Sequence, residues 1–169
     1  MPGCERLLAR ARDAGVPVIF TRYVYSEGMV DFGPVRSERA GRRLAAGALS
    51  PQDPGVEIVR ELLPRAGEIV IDKARPSAFY ATRLEPVLSG LGVRNVVLCG
   101  VTSNICVEST ARDAGQRDYG TYVVRDAVAE FTRERHEAAL AAVDWFFGET
   151  CSVADVERSW GLPDGEVAA

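Results

Sequence analysis

The chain has 169 residues, 47% of them hydrophobic, which is enough for one domain with a sizeable buried core. Its net charge of -4 excludes a broad nucleic-acid or anionic-membrane surface. No apolar run approaches the roughly 20 residues that a membrane-spanning helix needs, and the N-terminus lacks the apolar segment of a secretory signal. We therefore expect a single cytoplasmic domain over residues 1–169, with no nucleic-acid partner and no membrane partner.

The predicted elements alternate between helices and short β-branched strands. Helices are expected over residues 5–14, 56–63, 81–91, 105–117 and 132–147, the last with Thr132 as its N-cap. Strands are expected over residues 16–21, 68–71, 95–99, 120–125 and 150–153, the last at a sheet edge. This alternation is typical of a mostly parallel sheet with helices on both faces. We therefore predict an α/β fold, a three-layer α-β-α arrangement of the Rossmann-like type.

Two segments have no regular pattern. Residues 23–53 contain many glycines and prolines, and a loop of that length in a compact domain is usually functional or interfacial. The tail over residues 164–169 is expected to be frayed.

The cysteine and histidine content limits the chemistry of the chain. Cys4, Cys99, Cys106 and Cys151 are dispersed without a CxxC pair, which is typical of reduced cytosolic thiols rather than of a disulfide framework. His136 is the single histidine, so a His-rich zinc site is excluded. We expect no metal and no cofactor, and we expect His136 to be exposed on a polar helix face.

Two strand ends present reactive side chains: Lys73 follows one predicted strand and Cys106 begins the helix after another. Open α/β sheets place their sites at such carboxyl ends of strands. The positive end of the helix dipole favours a thiolate at Cys106, a nearby Lys73 ammonium would favour it further, and unpaired N–H groups there could form an oxyanion hole. From position alone, an inert buried cysteine and a solvated lysine remain open alternatives.

Two stretches of sequence favour the reactive interpretation. KARPSAF over residues 73–79 and CGVTSNICVESTARDA over residues 99–114 closely resemble the isochorismatase-like cysteine hydrolase family, and the resemblance extends over about residues 5–156. It implies the isochorismatase-like hydrolase fold, with Cys106 as the nucleophile and Lys73 as the catalytic lysine. It also implies a dimeric or tetrameric homo-oligomer.

The resemblance further implies a cis peptide bond between Val101 and Thr102. This bond would turn the Thr102 N–H toward an oxyanion site beside the Cys106 N–H. Cys106 would then attack the carbonyl of a small amide, N-carbamoyl or ureido compound. Ammonia or an amine would leave, and water would hydrolyse the acyl-thioester.

The chain departs from the family pattern at its start. Family members begin with a strand that ends in a general-base aspartate, whereas this chain opens inside what resembles the first helix. We therefore expect the first strand to be missing, a gap between the strands that should flank it, and exposed edges that favour aggregation. Asp31 and Glu27 are candidate substitutes for the base. A translation start upstream of Met1 is our simplest hypothesis for the difference.

The motifs also narrow the substrate class. Residues 21–26 lack the histidines of the metal-binding stretch in nicotinamidases, and a nucleophilic cysteine argues against the vinyl-ether hydrolysis of true isochorismatases. The sequence of residues 73–79 is closer to that of the carbamoyl and ureido hydrolases of the family. The pocket-lining candidates are Arg22, Tyr23, Tyr25, Arg75 and Phe79.

Two other functions remain as alternatives. The first is an inactive family member, lacking the base, that serves as a binding or scaffolding subunit. The second is a redox sensor, which would need a resolving cysteine near Cys106, and Cys99 is poorly placed for this. The aromatic residues 145–147 could join an interface, although we expect them to cover the sheet.

Overall fold

The computed structural model describes residues 1–33 and 47–161. Its helices are α1 (Pro2–Asp13), α2 (Leu84–Gly90), α3 (Glu108–Gly115), α4 (Arg133–Ala142) and α5 (Val153–Ser159). Its strands are β1 (Ile19–Tyr23), β2 (Ile69–Lys73), β3 (Asn95–Val101), β4 (Gly120–Ala129) and β5 (Glu149–Cys151). The mixed α/β class and the parallel pairing are as predicted.

The strands form two separate parallel sheets, β1–β2 and β3–β4–β5. Within residues 1–33 and 47–161, no backbone ladder joins one sheet to the other. In the described part of the chain β3 is paired only with β4, and its apolar residues 96–98 are half-buried, although a central strand of an α/β sheet is normally buried. The expectation that the sheet is interrupted is therefore confirmed.

Side-chain packing connects the two sheets. On one face, Ile71 of β2 shares a core cluster with Leu84 and Leu88 of α2 and Ala114 of α3, and Val96 of β3 packs against it. The other face is covered by α1. Its residue Leu7 packs with Val124 of β4, and Arg12 pairs with Glu68, the residue before β2. These contacts, rather than a shared strand, fix how the sheets lie relative to one another.

Polar side chains that accept backbone N–H groups define where two helices begin. The Thr132 side chain accepts the Arg135 N–H at the start of α4, which confirms it as an N-cap. Ser152 and Asp155 form a reciprocal capping box at the start of α5.

The predicted helix over residues 56–63 is wrong. Its place is taken by two 3₁₀ turns, Pro54–Val56 and Arg60–Leu62. Val59 between them has extended backbone angles (φ -57°, ψ 148°), and so has Leu63 (φ -54°, ψ 133°), which precedes a proline. A residue before proline is disfavoured in the helical region, which accounts for Leu63, while the extended Val59 divides the segment into two separate turns.

The predicted helix over residues 132–147 is confirmed in extent, since residues 133–147 are helical, but its last turn has π rather than α geometry. α4 stops at Ala142 and is followed by a π-turn, Val143–Phe147. Trp145 is 86% exposed and Phe146 77% exposed, so these two rings do not cover the sheet as expected. Phe147 is half-buried and lies under the Arg112 guanidinium, 4.4 Å from its ring centre.

Two predicted irregular segments extend beyond the described residues. Part of the stretch over residues 23–53, and the whole tail over residues 164–169, lie outside them. In the part of the chain that is described, no helix has the length and apolar character to cross a bilayer.

Candidate active site

Lys73 and Cys106 meet between the two sheets. Lys73 is the last residue of β2, and Cys106 lies in the turn that follows β3. The Lys73 Nζ donates a hydrogen bond to the Cys106 Sγ over 3.2 Å. Lys73 is only 5% exposed and Cys106 is half-buried, so the hydrogen bond between them is partly shielded from solvent.

The surroundings of Lys73 hold its ammonium in place. Nζ also donates to the Arg75 carbonyl over 3.1 Å and lies 4.3 Å from the centre of the Tyr23 ring. Such a cation–π contact stabilises a desolvated ammonium. Lys73 is the single lysine among the 20 lysine and arginine residues of the chain. Lys73 therefore carries the one side-chain ammonium of the sequence, a compact cation that, unlike a guanidinium, can lose a proton.

The turn that presents Cys106 is a π-turn, Ser103–Val107. The N–H groups of Ile105 and Val107, on either side of Cys106, both donate to the Thr102 carbonyl. The peptide bond between Val101 and Thr102 is cis, as the resemblance implied. Single π-turns of this kind occur frequently at functional sites.

Ser103 and His136 form a contact that the sequence reasoning missed. Ser103, three residues before Cys106, is 1% exposed, and its hydroxyl lies 2.9 Å from His136 Nδ1. His136 is half-buried, so the expectation that it is merely exposed is wrong. Glu130 accepts the Asn104 N–H, which fixes the same turn from a second side. Nothing in the spacing of these residues along the chain indicates the contact, since it depends on how α4 packs over the turn.

The two candidate substitutes for the base have other environments. The Asp31 carboxylate accepts the Ser26 N–H, over 2.9 and 3.1 Å, and so closes its own turn. The Asp31 carbonyl accepts a hydrogen bond from Arg75. Glu27 is exposed in the same turn. The Asp31 carboxylate is therefore committed to the backbone of its own loop.

Of the five pocket-lining candidates, two contact Lys73 and the other three have structural contacts elsewhere. Tyr23 and the backbone of Arg75 contact Lys73. Arg22 instead forms ion pairs with Asp72 and Glu57. Its strongest hydrogen bond, to Asp72, raises the pKa of the guanidinium. The other two candidates, Tyr25 and Phe79, are core residues, 2% and 6% exposed.

The remaining cysteines have no direct part in this pair. Cys4 and Cys99 interact through their side chains, and this hydrogen bond lowers the pKa of Cys4 to about 7 and raises that of Cys99. Cys99, at the end of the strand expected over residues 95–99, is exposed. Burial is the main reason that the pKa of Cys151 is raised. In the described ranges, no group of three or more His, Cys, Asp or Glu side chains is placed to hold a metal ion.

The chain is similar to known proteins over most of its length. Residues 1–155 match the Isochorismatase domain family. The chain is 34% identical over 170 residues to a protein of Methylobacterium radiotolerans named ureidoacrylate amidohydrolase RutB, covering 94% of this chain and 66% of that one. The chain thus spans about two thirds of the length of this relative.

Two solved structures are also similar. A cysteine hydrolase from Pseudomonas syringae pv. phaseolicola has a TM-score of 0.85 at 29% identity, covering 93% of this chain and 78% of that one. An N-carbamoylsarcosine amidase from Thermoplasma acidophilum has a TM-score of 0.72 at 27% identity, covering 90% and 81%.

Proposed function

Because the chain belongs to the Isochorismatase domain family, we propose that it is a cysteine hydrolase that cleaves the carbon–nitrogen bond of a small amide, N-carbamoyl or ureido compound. The observation on which the proposal rests is the hydrogen bond between Lys73 Nζ and Cys106 Sγ, 3.2 Å long and partly desolvated. Relatives named ureidoacrylate amidohydrolase and N-carbamoylsarcosine amidase support the substrate class.

In the proposed reaction, the Cys106 thiolate attacks the carbonyl carbon of the substrate. A carbon–sulfur bond forms, and the electron pair of the carbonyl moves to its oxygen. The N–H groups of Thr102 and Cys106 serve as donors to that oxyanion. The surrounding turn supports this role, because the Ile105 and Val107 N–H groups are already bonded to the Thr102 carbonyl.

Breakdown of this intermediate requires a proton for the leaving amine. Lys73, whose Nζ lies beside the sulfur, donates that proton as the carbon–nitrogen bond breaks. The resulting neutral amine of Lys73 then accepts a proton from the water that attacks the thioester. Hydrolysis releases the acid, and the thiolate and the ammonium are restored.

A panel of primary amides, N-carbamoyl amino acids and ureido acids tests this proposal by ammonia release. We expect release from at least one class, and we expect Cys106→Ala to lower it by about a thousandfold or more, as loss of a nucleophile does. Cys151→Ala is the matched control, because Cys151 is also half-buried but lies on β5, and it should retain activity. Activity that survives Cys106→Ala would refute the proposed nucleophile.

We also propose that the chain acts in the cytoplasm as a homo-oligomer. The four cysteines are all free thiols, which is consistent with a reducing compartment. The exposed rings of Trp145 and Phe146 are large apolar groups of the kind that interfaces use. Light scattering at micromolar concentration should give a dimer or tetramer, which Trp145→Glu should weaken. A monomer in the unmodified chain would contradict this part of the proposal.

A further inference from the structure

One face of the helical segment after β3 is turned toward the loop that follows β2. Cys106, Thr110 and Asp113 are spaced by four and then three residues, so they lie along one face of a helix. Thr110 is 7% exposed, and so is Ser77 in the facing loop. The face therefore extends from the reactive thiol to buried polar contacts with the loop.

Thr110 bonds to both segments at once. Its hydroxyl donates to the Cys106 carbonyl over 2.7 Å and accepts the Ala78 N–H over 3.0 Å. Ala78 is five residues after Lys73 in the same loop. A single buried hydroxyl thus joins the backbone of the cysteine to the backbone of the lysine loop; we refer to these two bonds as the Thr110 bridge.

A second connection lies one helical turn farther on. The Ser77 hydroxyl donates to the Asp113 carboxylate and accepts the Phe79 N–H. Arg117 pairs with the same carboxylate and balances its charge. We refer to the bond between Ser77 and Asp113 as the Ser77 bridge.

These bridges matter because the sheet does not hold the two reactive groups in register. Lys73 belongs to the β1–β2 sheet and Cys106 follows the β3–β4–β5 sheet, and no ladder joins those sheets in the described residues. In an unbroken sheet, backbone hydrogen bonds would set the distance between such strand ends. Here that distance depends on side-chain contacts instead.

We propose that Thr110 is a positioning residue, which holds the Lys73 loop against the Cys106 turn so that the ammonium stays on the thiol. This inference rests on the proposed roles of Lys73 and Cys106. The Ser77 bridge acts in the same direction. Loss of the Thr110 hydroxyl would leave the buried Ala78 N–H without this partner, and the Lys73 loop would shift to reach another one.

The test measures proximity directly and does not require activity. o-Phthalaldehyde condenses with one primary amine and one nearby thiol to give a fluorescent isoindole and two waters. Because Lys73 is the only lysine of the chain, the product joining it to Cys106 can be identified by peptide mapping and separated from any product of the N-terminal amine.

We expect the unmodified chain to form this product, and we expect Thr110→Val to lower its rate about tenfold, the equivalent of one buried hydrogen bond. Thr110→Ser keeps the hydroxyl and should restore the rate. Thr121→Val is the matched control, because Thr121 is also buried and its hydroxyl donates only within β4 and its preceding turn, to the Tyr119 carbonyl. That variant should react like the unmodified chain.

The other results overturn the proposal. An unchanged rate in Thr110→Val, an equal loss in Thr121→Val, or no product from the unmodified chain would each contradict it. Should Thr110→Val fail to fold, Ser77→Ala removes the Ser77 bridge instead. This variant must then also form the isoindole more slowly than the unmodified chain. Normal product formation in a chain that releases no ammonia would refute the hydrolase proposal alone, while the positioning role would stand.

Discussion

The Lys73 Nζ and the Cys106 Sγ lie 3.2 Å apart, although Lys73 ends a strand of one sheet, Cys106 follows a strand of the other, and no backbone ladder joins those sheets in the described residues. Lys73 is almost fully buried, and the Tyr23 ring lies against its ammonium. This relationship links the fold to the proposed chemistry, because reactive cysteines are found beside cations in partly exposed surroundings.

Replacing Lys73 should slow the reaction of Cys106 with iodoacetamide. We expect Lys73→Met to lower the rate at neutral pH about tenfold or more, since the neighbouring charge that favours the thiolate is lost. Lys73→Arg should not restore it, because the planar guanidinium is larger than the ammonium that fits against Tyr23. Arg133→Met removes one positive charge from an exposed ion pair and is the control. Equal rates in Lys73→Met and Arg133→Met would count against this role.

The unpaired side of β3 should be visible in amide hydrogen exchange. Within residues 1–33 and 47–161, β4 is paired on both sides, with β3 and β5, whereas β3 is paired with β4 alone. We expect a peptide over residues 95–101 to exchange faster than one over residues 120–129 in mass-spectrometric measurements, because half of its strand amides lack a ladder partner. Equal protection of the two peptides would mean that β3 is covered on both edges.

The ion pair between Arg12 and Glu68 should make stability depend on pH. Hydrogen bonds from the Arg12 guanidinium lower the pKa of Glu68 to about 2, from an ordinary value of 4.5. A carboxylate whose pKa is lower in the folded than in the unfolded protein stabilises the fold at any pH above its unfolded-state pKa. That stability is lost as the pH falls from about 4.5 toward 2. Urea unfolding should therefore show Glu68→Gln to be less stable by about 1 kcal/mol at pH 6, and the difference should shrink below pH 4.5. Glu137→Gln, in an exposed pair, should show little effect. A difference that did not vary with pH would contradict the prediction.

Gly115 tests how closely α3, the helix after the Cys106 turn, approaches the neighbouring backbone. A Cβ at Gly115 would lie 2.3 Å from the Phe147 carbonyl oxygen, so Gly115→Ala must displace backbone and should cost about 1–3 kcal/mol of unfolding free energy. Gly90 at the end of α2 has open space where a Cβ would lie. Gly90→Ala should be neutral or stabilise by up to about 1 kcal/mol. Thermal unfolding of both variants makes the comparison, and equal shifts would contradict the close approach.

The sequence predicts the reactive residues of the site better than the contacts that hold them in place. Lys73 and Cys106 could be named because the ends of parallel strands meet at one edge and because the motifs are specific. The spacing of Cys106, Thr110 and Asp113 was also visible, but which loop that helix face touches depends on tertiary packing. The contact between Ser103 and His136, from distant parts of the chain, had no local signal at all.

Errors in the predicted elements have similar physical causes. β4 is predicted over residues 120–125, yet it continues to Ala129. The Asp126 carboxylate there accepts the Val153 N–H, so a polar residue within the strand is satisfied by the start of α5. The register between β3 and β4 also shifts between Leu98 and Gly100, an irregularity that no pattern of alternation predicts.

The most direct test of the proposed nucleophile is the rate at which iodoacetamide alkylates Cys106 in the unmodified chain at neutral pH. Peptide mapping separates Cys106 from the other three thiols, and free cysteine at the same pH is the reference. We predict that Cys106 reacts faster than free cysteine, because the Lys73 ammonium 3.2 Å from its sulfur favours the thiolate. A rate equal to or below that of free cysteine would contradict the claim that Lys73 makes Cys106 a nucleophile.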